Sequence, residues 1–290
     1  MPILNANDRD ELKTRIANAK LIIVHGGLAV HFDEFFACAI ARWCGCQAPI
    51  ARRNPTPEEL ADPSVLVMDV GTTLDENRLC FDHHQDKEMG SAYYILSCLL
   101  GIDDELSHIF PWFGVWSDID AYGPYVAAEN QGMDWEKVSP FLNPISESVL
   151  RLWGEDPNAW GERLLKDLAN TLHEVLDIGE DGLTPWEHVT MHTTMSAIKG
   201  KIVLDMCGIT KYRAVQAAYV RVKDASVKVF DDDREPYGFG LTRTNNDLDV
   251  DFNRVKGEQG VGFVHPSGFI AKTTGKDVDW IPLVQKAIKD

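Results

Sequence analysis

Three places in this 290-residue chain set imidazoles and carboxylates directly after short apolar runs. His25, His31 and Asp33 follow the run 21–24, Asp69 follows 65–68, and Asp82, His83 and His84 follow 78–81. Imidazole mixed with carboxylate suits Mn²⁺, Fe²⁺ or Zn²⁺, and the clustered cysteines of a structural zinc site are missing. Six or seven such groups exceed the needs of one ion. They fit two divalent ions about 3.5 to 4 Å apart and bridged by a carboxylate, a pairing that activates water while neutralising a phosphoryl group. A lone histidine at a strand end is ordinarily a solvated loop residue. Three ligand-bearing ends in succession place charge near a core, and that charge needs a counterion.

The elements that must position these groups follow from hydrophobic patterning. The runs 21–24 and 65–68 read as buried strands, 78–81 as a shorter one, and 8–20, 34–43 and 91–100 as helices. Strands alternating with helices predict an α/β fold with a doubly wound, mostly parallel sheet, whose loops gather at the carboxyl edge. Residues 106–178 read as a helical middle segment, clearest at 160–176. Thr184-Pro185-Trp186-Glu187 combines an N-cap, a first-position proline and a third-position glutamate, and predicts a helix running to Lys199 before Gly200. Strands are expected at 217–222, 227–230, 238–242, 261–264 and 268–271. The expected domains are therefore a metal-binding domain at 1–200 and a smaller α+β domain at 201–290.

Composition narrows the substrate. The 28 Lys and Arg against 45 Asp and Glu leave a net charge of −17, which disfavours stable binding to long duplex DNA. A small nucleotide or short oligonucleotide, gripped locally through metal, is the partner this charge permits. No run reaches the roughly 18 apolar residues of a membrane span, and the first twenty residues mix acids with bases, unlike a signal peptide. Six irregularly spaced cysteines suggest no disulfide framework. A cytoplasmic protein without a membrane partner is expected, its oligomeric state left open.

The segments HGGLAVHFDEFFACAI, VLVMDVG and RLCFDHHQ together resemble the DHH phosphoesterase superfamily, most closely its Myg-type metal-dependent exonuclease branch. GVGFVHPSGFIA at 260–271 is similar to a pattern near that branch's C-terminus. The resemblance implies two domains with the active site in the cleft between them. It also implies that His25, His31, Asp33 and His83 are metal ligands, that Asp69 bridges two ions, that Asp82 braces the loop and that His84 faces the substrate phosphate. A further helical Asp is expected in WSDIDAYG at 116–123. Asp118 and Asp120 lie two apart, on different helix faces, so only one can ligate. Ungapped alignment favours Asp118, whereas spacing back from Gly123 favours Asp120. In the C-terminal part the resemblance implies that Arg243 grips a phosphate and that His265 donates to it.

The function implied is a binuclear phosphodiesterase or exonuclease on short RNA-like or other small nucleotides, with Mn²⁺ first among Mg²⁺, Co²⁺ and Fe²⁺. A manganese pyrophosphatase is the rival enzyme, and a silent nucleotide-binding sensor the rival of another class. Minor features read as ordinary structure: His188 and His192 at helical spacing as surface, Cys44-Gly45-Cys46 as a helix end, Trp112, Trp116, Tyr122 and Tyr125 as core aromatics, and 231–236 as a solvated turn. Arg52, Arg53, Arg243, Arg254 and Lys256 are candidates for a local basic track.

Overall fold

The computed structural model describes residues 4–27, 30–138, 144–234 and 236–289. The chain is mixed α/β with two sheets and separates into two compact units, Met1–His173 and Glu174–Asp290. Among the described residues no helix is long and apolar enough to cross a membrane.

The first unit begins α1 (Ala6–Ala17), β1 (Leu21–Val24), α2 (Phe32–Trp43), β2 (Ile50–Arg52), α3 (Pro57–Ala61), β3 (Val65–Met68), β4 (Leu74–Asp75), β5 (Cys80–Phe81) and α4 (Ala92–Leu100). It continues through α5 (Asp103–Ile109), α6 (Trp112–Tyr122), α7 (Pro124–Asn130), α8 (Trp135–Val138), α9 (Pro144–Glu155) and α10 (Trp160–Leu176). The sheet order is β2-β1-β3-β5-β4, parallel except for the edge strand β4. β1 and β3 are the central pair, buried almost throughout, as their unbroken apolar runs require. Eleven of the twelve residues of α2 are buried, so its acids at Asp33 and Glu34 enter the interior at the first turn, where the helix dipole favours negative charge. The expected strand 78–81 is shortened, because Glu76–Arg78 forms a 3₁₀ turn and Leu79 takes φ +53°. β2 and β4 were not expected.

The second unit holds α11 (Pro185–His192), β6 (Thr194–Ile198), β7 (Lys201–Asp205), α12 (Arg213–Val222), β8 (Val227–Asp231), β9 (Phe239–Arg243), β10 (Val261–Val264), β11 (Ile270–Thr273) and α13 (Ile281–Ala287). Its sheet order is β10-β11-β9-β8-β7-β6, with only β7 and β8 parallel. Two expectations are corrected here. The helix starting at Thr184 has its capping box but stops at His192, and β6 pairs antiparallel with β7 through a two-residue turn at Lys199 (φ +48°) and Gly200 (φ +76°). Positive φ at both central residues gives the hairpin turn that matches strand twist, which glycine adopts at no steric cost. The expected strand 217–222 is the second half of α12. Its β-branched texture misleads, because Val215, Ala218 and Tyr219 are buried at helical spacing. The two units divide after His173, within α10.

Candidate metal centre

Asp33, on the first turn of α2, reaches across to α4. Its Oδ2 accepts the backbone N–H of Ala92 at 2.9 Å and its Oδ1 that of Tyr93 at 2.8 Å. Ser91, at the N-cap of α4, makes no side-chain cap bond, so Asp33 serves that helix end from 59 residues away. Asp69 ends β3 in the left-handed region (φ +57°), an unusual conformation for a non-glycine residue and one that concentrates at functional sites. Its backbone N–H donates to Phe81 O at 3.0 Å, so β5 holds the strand end in place. Gly71 then turns the chain at φ +101°, where a Cβ would meet Leu60 at 2.9 Å.

Beyond β5, Asp82 gathers its own loop. Its Oδ1 accepts from His83 N (2.7 Å), His84 N (3.1 Å) and His84 Nδ1 (2.6 Å), and its Oδ2 accepts from Thr72 N at 2.5 Å. With both oxygens engaged, Asp82 is the organiser of the loop. His83 points inward, its Nε2 2.9 Å from Asp120 Oδ2, 3.3 Å from Asp69 Oδ1 and 3.6 Å from Asp33 Oδ2. His84 points outward, half exposed.

A second group lies at the end of β1. The His25 and His31 rings stack at 5.4 Å, and His25 Nδ1 is 3.8 Å from Glu34 Oε2. His31 Nδ1 stands 4.0 Å from Asp120 Oδ1, linking this group to the first. Among the described residues, three sets of donor atoms each fall within 4.8 Å of one another: Asp33, Asp69, His83 and Asp120; His25, His31 and Glu34; and Asp69, Asp82, His83 and His84.

The electrostatics are those of crowded negative charge that His83 and Arg52 offset only in part. Burial, with the charges of Asp69 and Asp120 added, pushes the Asp33 carboxyl well above its ordinary range. Burial and the Asp69 charge raise Glu34 to about 8, although Arg52 Nη2 sits 3.0 Å from its Oε1. Burial alone would lower His83, but the carboxylates of Asp120 and Asp69 beside its Nε2 outweigh it and raise the imidazole to about 10. His25 Nδ1, Glu34 Oε2, Asp69 Oδ2, His83 Nε2 and Asp120 Oδ2 are all buried without an aligned hydrogen-bond partner. Buried polar atoms are seldom left so, and five converging from several elements fit a divalent cation.

Asp120, rather than Asp118, enters the cluster; Asp118 is partly buried, which raises its carboxyl, and joins none of the donor sets. Glu34 was missed in the sequence, where it reads as the helical neighbour of Asp33; its total burial beside His25 is visible only in the fold. Trp112 and Trp116 pack against Phe32 but are only half-buried, and Tyr125 is exposed, so the reading of these aromatics as core is corrected. Arg52 and Arg53 form no open track, since they pair with Glu34 and Glu59.

Arg243 and His265 lie in the second unit. Arg243 Nη1 donates to Val250 O at 3.0 Å. His265 Nδ1 lies 2.7 Å from Ser267 Oγ and accepts the backbone N–H of Ser267 at 3.2 Å, which leaves the proton of the neutral ring on Nε2. His265 lines a cavity of about 300 Å³ with Arg234, Tyr237, Phe263, Phe269, Ile270 and Lys272; Arg243 does not line it. The solvated turn expected at 231–236 is corrected at its centre: Asp232 is buried and bound to Arg234 and Lys272, while Glu235 lies outside the described residues.

Residues 21–97 match the family model MYG1_exonuc, described as Uncharacterised protein family (UPF0160). The matched stretch carries every donor of the centre except Asp120. No curated protein matches the chain.

Proposed function

We propose that the chain is a divalent-metal-dependent phosphodiesterase of the DHH type, cutting short RNA-like or other small nucleotides with an exonuclease's preference for ends. The observation that carries this reading is the gathering of Asp33, Asp69, His83 and Asp120 beside His25, His31 and Glu34 in the first unit, with five of their polar atoms buried and without an aligned hydrogen bond. The name of the matched family model supports a nuclease, and the net charge of −17 supports a small substrate.

Asp33, Asp69, His83 and Asp120 would hold one ion, and His25, His31 and Glu34 offer the donors for a second. Mn²⁺ is the ion we favour. Such ions, when bound, acidify a water and neutralise a phosphoryl group. The chain's own residues do the remaining work. Asp82 fixes the loop so that His83 faces inward and His84 outward. Because a carboxylate only accepts, His84 must donate its Nδ1 proton to Asp82, which leaves Nε2 to meet a substrate phosphate or exchange a proton with a leaving oxygen. Arg243 and His265 would each offer a phosphate contact, though not from one cavity, and the aromatic wall beside His265 offers a face for a base.

The test is a substrate panel of oligoribonucleotides, oligodeoxynucleotides, cyclic dinucleotides and pyrophosphate, each with Mn²⁺, Mg²⁺, Co²⁺ or Fe²⁺. Preferential release of mononucleotides from short RNA is the expected result. Turnover of pyrophosphate alone would overturn it in favour of a pyrophosphatase, and binding without turnover would make the chain a sensor. His84→Ala should keep its metal while losing about two decades or more of turnover.

A further inference from the structure

The second unit carries another pair of histidines. His188 and His192 are four residues apart on α11, so they share one helix face a turn apart. The start of that helix is pinned by the reciprocal Thr184–Glu187 capping box. The two rings stack with centroids 4.2 Å apart.

Both rings are held through the same nitrogen. His188 Nδ1 is 2.6 Å from Asp181 Oδ2, and His192 Nδ1 is 2.8 Å from the His188 carbonyl oxygen. Carboxylate and carbonyl oxygens only accept, so each Nδ1 must carry the proton. In the neutral rings both Nε2 atoms therefore keep their lone pairs. A carboxylate or backbone carbonyl on one ring nitrogen, fixing the tautomer and leaving the other nitrogen to a metal, is how protein sites orient ligating histidines. An ion pair with Asp181 would account for His188 alone. It does not account for His192, stacked on its neighbour with its proton turned back on the helix.

We propose that His188 and His192 form a metal site in the C-terminal unit, coordinating through Nε2 and selecting Cu²⁺, Ni²⁺ and Zn²⁺ over Mn²⁺ and Mg²⁺. Two imidazoles one helical turn apart are the protein half of known helical zinc sites, and imidazole follows the order in which Cu²⁺ binds tightest and Mn²⁺ weakest. The remaining coordination positions are open to water. A cavity of about 280 Å³ adjoins His188, with Glu180, Asp181 and Tyr212 in its wall. The site is independent of the proposed catalytic reading, because none of its residues belongs to the centre in the first unit.

Titration of the full chain with Ni²⁺, monitored calorimetrically in excess Mn²⁺ to fill the first centre, tests this site. The wild-type chain should bind one equivalent of Ni²⁺ more than His188→Gln/His192→Gln does, and the Mn²⁺ content measured without Ni²⁺ should be the same in both. His192→Gln alone guards against misfolding, since His192 is exposed and the Asp181–His188 contact survives its loss. It too should lose the tight binding. Asp181→Asn should keep the stoichiometry and weaken the affinity about 10- to 100-fold. An unchanged Ni²⁺ isotherm in the double variant, or Mn²⁺ competing equally for the site, would overturn the proposal.

Discussion

Asp33 in the first unit and Asp232 in the second are buried alike, 2% and 5% exposed, yet their carboxyls are displaced in opposite directions. For both, burial is the largest influence and pushes upward. Around Asp33 the charges of Asp69 and Asp120 add to that push, and the His83 imidazole 3.6 Å away does not reverse it. Around Asp232 the oxygens meet Arg234 at 2.9 Å and Lys272 at 2.9 Å, and the carboxyl is held well below its ordinary range. A buried acid is therefore no mark of function by itself. The mark is a buried acid whose compensation within the chain is incomplete, as in the first unit, where Asp33, Asp69 and Asp120 crowd the one imidazole of His83, because a folded protein supplies matching counterions when the charge is structural.

The strongest way to break this contrast is Asp69→Ala. Asp69 contributes to two of the three donor sets, and a metal centre supplies several kcal/mol of transition-state stabilisation. The variant should lose metal and about three decades or more of kcat/KM. Elemental analysis showing full metal content with turnover intact would remove the incomplete-compensation argument altogether.

Asp232→Asn asks the converse question. It should leave metal content unchanged and cost stability, roughly 3 kcal/mol, because Lys272 is buried and would be left without its partner. The sign with pH follows from the lowered carboxyl. Its contribution is present above the ordinary value of 3.8 and is lost as acid titrates it below that. Wild-type and Asp232→Asn unfolding midpoints should therefore converge below about pH 4. Parallel curves down to pH 2 would contradict the pairing.

Stripping the metal should give the first unit the opposite pH dependence. Asp33 and Glu34 are raised, so the folded chain holds protons there that the unfolded chain releases, and stability falls as pH rises above their ordinary values. His83, raised to about 10, acts in the same direction: its stabilisation is complete below its ordinary 6.5 and is lost as pH climbs toward 10. Chelated protein should melt progressively lower from pH 5 to 8, and added Mn²⁺ should flatten that slope. A midpoint that rises with pH in chelator would contradict the raised groups.

What the sequence disclosed follows the same physics. β1 and β3 were legible because strands buried on both faces read as unbroken apolar runs, and their ends pointed to His25 and Asp69. The Thr184 capping box was legible because its partners are local. β2 was not: three residues carry no periodicity, and only pairing with β1 makes Ile50–Arg52 a strand. Glu34 escaped for a related reason. Residues adjacent on a helix diverge by about 100°, which predicts that one of Asp33 and Glu34 faces away from the site. That argument assumes an exposed side, and α2 has almost none. α12 failed because β-branched residues suit both states, and burial spacing rather than propensity decided between them.

The smallest expected effect sharpens the comparison most finely, since it concerns two acids on one helix. Asp118 and Asp120 both sit on α6, and ungapped alignment favoured the first as ligand. Asp120 Oδ2 lies 2.9 Å from His83 Nε2 and is buried without an aligned partner. Asp118 is raised by partial burial alone and belongs to no donor set. Two residues of helix rotate a side chain by about 200°, so a face that serves one excludes the other. Asp120→Asn should therefore lower metal content clearly, while Asp118→Asn changes stability by no more than about 0.5 kcal/mol and leaves metal unchanged. Both variants differ from wild type by the same single charge, so a general electrostatic effect on metal affinity would lower the two equally. Equal metal loss would mean that the net charge near the centre, and not the face of α6, governs binding.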